Sequence, residues 1–385
     1  MRNDGVSRAR FLAGAGAGAV GAAALLGAAG GATAAHATPG AGPPGGPRRR
    51  SGLTHRGVCY TIGAGETPGT AWRPERARHD VRAIQRGLHA DSIKVTGDGV
   101  ERLTTTAAEA AERGLHIWME PTLGDRPEGE ILDHLAECGR FAERLRRQGA
   151  DVDLSVGCEF WLFVPGIVPG ANVLERVENL QNGTFDPIHM QRELRRFIAR
   201  AAQVGRSVFK GPLSYASAQH DDVDWSLFDI VGVDYYSYFP RKSAYVRELR
   251  EYLRWGKPLA ITEFGCCTFV GAPEQGGMGW SIVDYSKDPP EITGDPVRSE
   301  RTQAAYLTEL LGVFESMGLY AAMAFEFSTP DQPHRTEKRH DLDLASYAIV
   351  KSIKDDPADP SSDWHWEPKE AFHALARRYA GAVAR

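Results

Sequence analysis

Two glutamates that each follow a short apolar run carry the strongest chemical signal in this sequence. Glu159 closes the run DLSVGCE, and Glu263 closes KPLAITE. Burying an ionised carboxylate without partners is costly, so two of them at the ends of apolar runs suggest one shared site. Paired carboxylates are suited to cleaving glycosidic bonds, because one can protonate the departing oxygen while the other attacks the sugar carbon.

Short runs of apolar, β-branched or aromatic residues recur along the chain and predict eight strands. The runs are at 56–63, 91–97, 115–121, 153–160, 207–215, 228–236, 257–265 and 320–328. Helical patterns lie between most of them, at 74–87, 100–113, 128–148, 186–204, 241–254, 298–317 and 367–379. This alternation predicts an α/β fold, a single-domain (β/α)8 TIM barrel at 53–385. The alternative is an open doubly wound sheet, which has less support because no GxGxxG follows the first strand.

The active site of such a barrel lies in the loops that follow its strands. The longest connections without a clear helical pattern, 160–185 and 266–296, follow the strands that carry Glu159 and Glu263. Alternation along the strands turns apolar side chains toward the helices and polar ones toward the barrel axis. The predicted inner face holds Lys94, Glu120, Glu159, Asp234, Glu263 and Glu326. Five acids exceed what one lysine can neutralise, which favours a functional cluster over structural ion pairs.

Aromatic residues near this rim are candidates for contact with sugar rings, which need flat apolar partners. These candidates are Trp118, Trp161, Tyr236 and Trp280. Asp234, Glu120 and Glu326 could bind sugar hydroxyls or a cationic sugar group. For each tryptophan the alternative is packing inside the barrel or its loops. No HExxH and no GxSxG is present, so neither a metal, a cofactor nor a serine nucleophile is predicted.

Composition limits the classes of protein that this chain can belong to. Its 385 residues are 42% hydrophobic and 25% charged, which is ordinary for a globular protein. A formal net charge of −5 argues against nucleic acid as the main partner. The 5 cysteines show no CxxC spacing, so a structural zinc site is not expected. Most are interpreted as small buried hydrophobes, with one long-range disulfide as the alternative.

The first fifty residues have the features of an export signal and are not expected to be part of the folded domain. Arginines precede an Ala/Gly/Leu run, and the A-x-A site at 35–37 suits a signal peptidase, so 1–37 is interpreted as a cleavable signal. SRARFL at 7–12 resembles the twin-arginine consensus, although Ala9 stands where the second arginine belongs. The Pro/Gly-rich stretch 38–52 is interpreted as a disordered linker. A transmembrane anchor is the weaker alternative, so a secreted or extracytoplasmic protein with no stable membrane span is expected.

Glutamates ending strands four and seven of a (β/α)8 barrel are the layout of the large clan of retaining glycoside hydrolases, which this chain resembles. The resemblance covers about residues 55–380 in architecture, and its sequence-specific part is GCE at 157–159 and ITEFG at 261–265. It implies a carbohydrate substrate, with Glu159 as general acid/base and Glu263 as nucleophile. Retention requires the two carboxyl groups to lie about 5 to 5.5 Å apart.

The same resemblance implies partners for the nucleophile. Lys94 would take the place of the strand-two arginine that contacts it. Tyr236, or its neighbour Tyr235, would match the strand-six aromatic whose hydroxyl also holds it. The chain departs from the clan at Cys158, where asparagine is usual, and at 325–327, where FEF replaces the tryptophan that commonly ends strand eight.

A narrower resemblance is carried by DIVGVDYY and TEFGCC. Both segments look like those of actinobacterial barrels that carry the label "abortive infection protein". Two alternatives to a glycosidase therefore stay open. One is a barrel that binds carbohydrate without cleaving it, motivated by Cys158 and the missing tryptophan. The other is a phage-defence protein, motivated by the label.

Overall fold

The structure is a computed structural model of the whole chain, and it describes residues 52–63, 69–219, 221–359 and 361–383. The predicted export signal at 1–37 lies outside the described residues, as does the predicted linker apart from residue 52. Within the described ranges, no helix is long and apolar enough to cross a membrane.

Eight parallel strands close into a barrel, which confirms the predicted (β/α)8 fold. In chain order the strands are β1 (His55–Ile62), β2 (Ser92–Gly97), β3 (His116–Pro121), β4 (Val152–Cys158), β5 (Leu213–Ala218), β6 (Val231–Asp234), β7 (Leu259–Phe264), β8 (Val283–Asp284), β9 (Glu291–Ile292), β10 (Ala321–Ala324), β11 (Val350–Lys354) and β12 (Trp364–Pro368). The barrel runs β1 to β7 and then β10, which pairs with β1. The other strands form two antiparallel hairpins, β8–β9 and β11–β12.

Helices fill most of the crossovers between the barrel strands. They are α1 (Pro74–Arg86), α2 (Val100–Glu112), α3 (Glu128–Arg147), α4 (Phe160–Phe163), α5 (Val173–Gln181), α6 (Pro187–Val208), α7 (Lys242–Leu253), α8 (Glu300–Met317) and α9 (Glu370–Val383). Turns of 3₁₀ helix lie at Trp225–Leu227, Ala272–Ile282, Lys338–His340 and Leu342–Ala345.

Local sequence explains where the main helices begin and end. Pro74 occupies the first turn of α1, where its missing N–H is not needed. Asp186 caps α6 by accepting a hydrogen bond from the Ile188 N–H, and Ser299 caps α8 in the same way. Gly318 ends α8 with φ of 63°, a left-handed conformation that glycine adopts without steric cost. These signals set the length of each crossover and so align the strands.

The fifth predicted strand is misplaced in the sequence interpretation. It was expected at 207–215, but α6 continues to Val208 and β5 covers Leu213–Ala218. The apolar pair Val208 and Phe209 reads as the start of a strand. Val208 instead lies directly against Gly139 of α3, where a Cβ atom would be only 2.6 Å from its Cγ2. The pair therefore packs the end of a helix and does not join the sheet.

The two long loops contain more structure than the sequence indicated. The connection after β4 holds the short helices α4 and α5, and the one after β7 holds the 3₁₀ turn Ala272–Ile282 and the β8–β9 hairpin. All 5 cysteines are buried and free. Their interpretation as buried hydrophobes is confirmed, and the alternative of a long-range disulfide is wrong.

Candidate active site

The inner face of the barrel gathers carboxyl groups around one buried lysine. Lys94 projects from β2, and its Nζ lies 2.7 Å from Glu120 Oε1 on β3 and 2.8 Å from Glu263 Oε1 on β7. Burial opposes the charge of Lys94, but the carboxylates of Glu120 and Glu263 outweigh it and raise the pKa of Lys94 well above its ordinary value. Lys94 is therefore cationic throughout the neutral range.

Glu263 has a donor on each of its two carboxyl oxygens. Lys94 donates to Oε1, and the Tyr236 hydroxyl donates to Oε2 at 2.8 Å. Burial, together with the charge of Glu263, raises the pKa of Tyr236 well above its ordinary value, so the hydroxyl keeps its proton. Two fixed donors hold the plane of this carboxylate, which suits a nucleophile that must approach from one direction.

Glu120 supports the lysine from the other side. Its Oε1 also accepts a hydrogen bond from Thr96 Oγ1 at 3.1 Å. Burial raises the pKa of Glu120, although Lys94 opposes the shift. Its Oε2 is buried and has no hydrogen-bond partner among the residues that the structure describes. Glu120 thus binds Lys94 through Oε1, and its Oε2 can still accept a hydrogen bond.

Glu159 lies directly after Cys158, the last residue of β4. Glu159 has φ of 35° and ψ of 56°, a left-handed conformation that is uncommon for a residue with a side chain. Its N–H donates to the Ala216 carbonyl at 2.9 Å, and its own carbonyl accepts from Leu162. Gly157 permits this turn, because a Cβ there would lie 2.3 Å from the Phe160 ring. The strand therefore ends at Cys158, two residues earlier than predicted.

The Glu159 side chain has an environment opposite to that of Glu263. It is buried, and Lys94 and Tyr236 direct their hydrogen bonds to Glu263 and not to Glu159. Burial raises the pKa of Glu159 well above its ordinary value, and the nearby charges of Asp234 and Glu263 add to the shift. A carboxyl group of this kind holds its proton at neutral pH and can act as a general acid.

Cys158 and Asp234 form a contact beside the two glutamates. The Cys158 Sγ lies 3.4 Å from Asp234 Oδ2, and the Thr262 hydroxyl donates to Asp234 Oδ1 at 2.7 Å. Burial raises the pKa of the Cys158 thiol, which is therefore a neutral, weak donor. Burial and then the charge of Glu263 raise the pKa of Asp234. Asp234 is paired with Glu263 in the β6–β7 register, so it lies next to that residue.

Glu326 lies beyond the end of β10 and joins the cluster from the eighth position of the barrel. Burial raises the pKa of Glu326 to about 8, and the Thr329 hydroxyl donates to its Oε1 at 3.1 Å. Glu326 is buried. Glu326 is thus a protonatable group at the edge of the carboxyl cluster, and the strand pattern predicted its place in that cluster.

Tyr235 is not brought into the site, contrary to the expectation that either tyrosine could hold the nucleophile. Its hydroxyl donates to Glu248 Oε2 on α7 at 2.6 Å, and its ring packs against Tyr245 and Phe314. The physical reason is the alternation of side chains at the end of β6, which turns Tyr235 toward the helices and Tyr236 toward the barrel axis.

The three predicted tryptophan platforms are more enclosed than an open sugar-binding surface. Trp118, Trp161 and Trp280 are 0%, 1% and 7% exposed. Trp118 lies opposite Lys94 in the β2–β3 register, deep in the barrel. Its indole N–H and that of Trp280 have no acceptor among the described residues. Contact of these rings with a sugar stays a prediction.

Two residues that influence the site were missed by the sequence interpretation. Burial raises the pKa of Asp221, in the turn after β5, to about 8, and its charge acts on Glu159. Tyr347 packs its ring 5.7 Å from that of Tyr236, and its hydroxyl donates to the Gly276 carbonyl. Tyr347 thereby ties the Ala272–Ile282 turn to the residue that holds Glu263. The misplaced fifth strand concealed Asp221, whereas Tyr347 gave no periodic signal.

The same cluster contains a set of donor atoms of the kind that binds metals. Oxygen or sulfur atoms of Glu120, Cys158 and Glu263 lie within 4.8 Å of one another. The Lys94 ammonium already contacts both carboxylates, so a metal cation between them would face its charge. The arrangement thus suits acid–base and nucleophilic chemistry better than cation binding.

The fold of this chain is similar to that of known proteins. No family model and no curated protein matches it. The chain is similar to a GH113 β-mannanase from Alicyclobacillus acidocaldarius, with 16% identity and a TM-score of 0.54 over 86% of this chain and 98% of that chain. A GH113 β-1,4-mannanase gives 11% identity and a TM-score of 0.56 over 85% of this chain and 99% of that chain.

A third similar structure is a β-D-glucuronidase from Dictyoglomus thermophilum. It shares 15% identity and a TM-score of 0.51 over 85% of this chain and 50% of that chain. At these identities the likenesses establish a common (β/α)8 barrel. They do not bear on the resemblance to barrels labelled abortive infection proteins, which stays a prediction.

Proposed function

We propose that the protein is a retaining glycoside hydrolase in which Glu263 is the nucleophile and Glu159 is the general acid/base. The contrast between the two carboxyl groups carries this proposal. Glu263 accepts hydrogen bonds from Lys94 and Tyr236, whereas Glu159 is buried, receives neither of these hydrogen bonds and has a raised pKa. Two carboxyl groups whose environments separate their protonation states are the basis of acid–base assignment in glycosidases.

The first step forms a covalent glycosyl-enzyme. A Glu263 oxygen attacks the anomeric carbon, and the bond to the departing sugar oxygen breaks as Glu159 gives that oxygen its proton. Lys94 and the Tyr236 hydroxyl keep the attacking carboxylate oriented. Because Glu159 must enter this step protonated, its raised pKa serves the reaction by keeping the proton on the carboxyl group until the sugar oxygen departs.

The second step releases the sugar. The Glu159 carboxylate removes a proton from a water molecule, and the resulting oxygen attacks the anomeric carbon on the face that the first leaving group had occupied. The bond to Glu263 breaks and its carboxylate is restored. Two inversions return the original stereochemistry, so the product has the same anomeric configuration as the substrate.

The similar structures support a carbohydrate as the partner of this site. Two are β-mannanases and one is a β-D-glucuronidase, and all share the barrel with this chain. A β-linked glycan is therefore the proposed substrate class. Export is proposed with it, because the sequence at 1–37 has the features of a cleavable signal. N-terminal sequencing of the protein recovered outside the cytoplasm tests the cleavage site.

Hydrolysis of aryl β-glycosides by the wild-type protein and by two variants tests the catalytic roles. Glu263→Ala is expected to abolish turnover, and azide should rescue it by forming a glycosyl azide of inverted configuration. Glu159→Ala is expected to retain cleavage of substrates with good leaving groups, and azide should then give a product of retained configuration. The two azide products distinguish the roles of the two glutamates. In Glu263→Ala azide attacks in place of the missing carboxylate, whereas in Glu159→Ala it attacks the glycosyl-enzyme in place of water.

Glu75→Gln is the matched control, since Glu75 pairs with Arg78 on the exposed face of α1. It should leave turnover within about twofold of wild type, as expected for a surface ion pair of small energy. Turnover that is equal in wild type and Glu263→Ala would refute the proposal. Sugar binding without turnover in any variant would favour a carbohydrate-binding barrel instead.

A further inference from the structure

The carboxyl groups of the site outnumber its cations. Glu120, Glu159, Asp234, Glu263 and Glu326 are all buried in it. In the part of the chain that the structure describes, Lys94 is the one lysine or arginine that forms an ion pair with any of these five acids. Lys94 contacts Glu120 and Glu263, and in the described ranges no salt bridge reaches Asp234, whose pKa is raised by burial and by the charge of Glu263. A cation supplied by a ligand would stabilise the ionised form of Asp234.

Two carboxylate oxygens of the site lack a strong hydrogen-bond donor, which independently suggests that a ligand supplies one. Glu120 Oε2 is fully buried and has no hydrogen-bond partner within the described ranges. The partner of Asp234 Oδ2 is the Cys158 thiol at 3.4 Å, and a neutral thiol is a weak donor. Buried acceptors are nearly always satisfied, so these oxygens are suited to hydrogen bonds from something that the protein itself does not contain.

The position of Asp234 identifies which part of a sugar it would meet. Asp234 is paired with Glu263 in the register of β6 and β7, and the Cys158 Sγ lies within 4.8 Å of a Glu263 carboxyl oxygen. Glu263 attacks the anomeric carbon in the proposed mechanism. The anomeric carbon has one carbon neighbour in the ring, C2, so the substituent on C2 is the one closest to the groups beside Glu263.

We propose that the substrate is a β-glycoside of a 2-amino sugar with a free ammonium group, which Asp234 binds in place of the Cys158 thiol. The proposal rests on the proposed glycosidase function of the same site. An ammonium group supplies both the charge and the hydrogen bonds that Asp234 lacks, and a charge-assisted hydrogen bond is about twice as strong as a neutral one. An acetylated amine would bring bulk to the Cys158 contact and remove the charge.

The test compares three aryl substrates that differ at C2. They are the 4-nitrophenyl β-glycosides of glucosamine, glucose and N-acetylglucosamine. The expected result is a kcat/KM for the glucosaminide at least 10-fold above that for the glucoside, because hydrogen bonds to charged groups give roughly 10- to 100-fold discrimination. In Asp234→Asn, which keeps the shape and removes the charge, this preference should fall to about twofold or less.

Glu326→Gln is the matched control, because Glu326 is a buried carboxyl group of the same cluster that follows β10, with β7 between it and the strand of Asp234. The preference for the glucosaminide should survive in Glu326→Gln if the amine is bound by Asp234, and should fall equally in both variants if only the total charge matters. Equal loss, or a glucoside cleaved as well as the glucosaminide, would overturn the inference while the glycosidase proposal stands.

Calorimetric titration of the wild-type protein with glucosamine hydrochloride and with glucose separates the two proposals. If no glycoside is cleaved but glucosamine binds at least 10-fold more tightly than glucose, and Asp234→Asn abolishes the difference, the glycosidase proposal fails and the amine site holds. If nothing is cleaved and neither sugar binds, both proposals fail.

Discussion

Lys94→Met is expected to destabilise the fold by an amount that depends on pH. The Lys94 Nζ lies 2.7 Å from Glu120 Oε1 and 2.8 Å from Glu263 Oε1, and the side chain is fully buried. Methionine has nearly the same length without the charge, so two buried carboxyl groups lose their cation. Removing one partner from a buried ion pair costs about 3 to 5 kcal/mol, which sets the scale of the effect at neutral pH.

The pH dependence follows from the carboxyl groups that remain. Burial already raises the pKa of Glu120, and Lys94 opposes that shift. Without Lys94 the pKa of Glu120 in the folded state rises further above its unfolded value. The stability of the variant is then fully present below the unfolded pKa and is lost as the pH rises toward the folded pKa. If the folded variant binds one more proton than the folded wild type, the free-energy cost of the substitution rises by about 1.4 kcal/mol for each unit by which the pH is raised.

Urea unfolding of both proteins at pH 5.5 and pH 7 measures this difference. One extra bound proton predicts that the substitution costs about 2 kcal/mol more at pH 7 than at pH 5.5. Lys257→Met is the matched control, because the Lys257 ammonium binds the backbone carbonyls of Trp225 and Phe228 and forms no salt bridge with a carboxylate among the residues that the structure describes. Its cost should be the same at both pH values. A cost of Lys94→Met that does not change with pH would refute the charge argument.

Four further predictions concern single features of the site. Tyr236→Phe removes a hydrogen bond to Glu263 and should lower kcat roughly 10- to 100-fold in the glycoside assay, whereas the adjacent Tyr235→Phe should not. Because Glu159 must carry its proton, kcat/KM should fall as pH rises through its raised pKa, and Glu159→Gln should remove that limb of the profile for activated substrates. Glu326→Gln should flatten the loss of stability that the wild type shows in urea unfolding between about pH 4.5 and pH 8, since the raised pKa of Glu326 lies at about 8. Ellman's reagent should titrate the 5 buried cysteines in urea and fewer than one in the native protein.

Strand periodicity was sufficient to find much of this site from sequence. The alternation of SIKVT and HIWME places Lys94 and Glu120 on one side of adjacent strands, and the structure joins them at 2.7 Å. The same rule separates Tyr236 from Tyr235, whose hydroxyls bond to Glu263 and Glu248 respectively. It succeeds because a parallel barrel buries both faces of each strand and leaves every side chain only two directions.

Periodicity was insufficient where the chain leaves the strands. Asp221 follows β5, whose first residue was predicted six positions too early. The error arose because the apolar end of α6 resembles the start of a strand. Tyr347 contacts Tyr236 from a segment more than one hundred residues away, and no local pattern encodes a contact between two loops. Glu159 was expected within its strand, but its left-handed conformation depends on the fit of Gly157 against the Phe160 ring. Each of these features is decided by tertiary packing.

The different environments of the two glutamates follow from where each lies relative to its strand. Glu263 belongs to β7, so β6 supplies the Tyr236 hydroxyl from the neighbouring position and Lys94 reaches it from β2. Glu159 comes after β4 has ended, in a turn whose backbone is held by Ala216 and Leu162. Its side chain is buried, and burial raises its pKa. One amino-acid type thus gives a carboxylate held by two donors and a carboxyl group that keeps its proton, because one lies within its strand and the other in the turn that follows its strand.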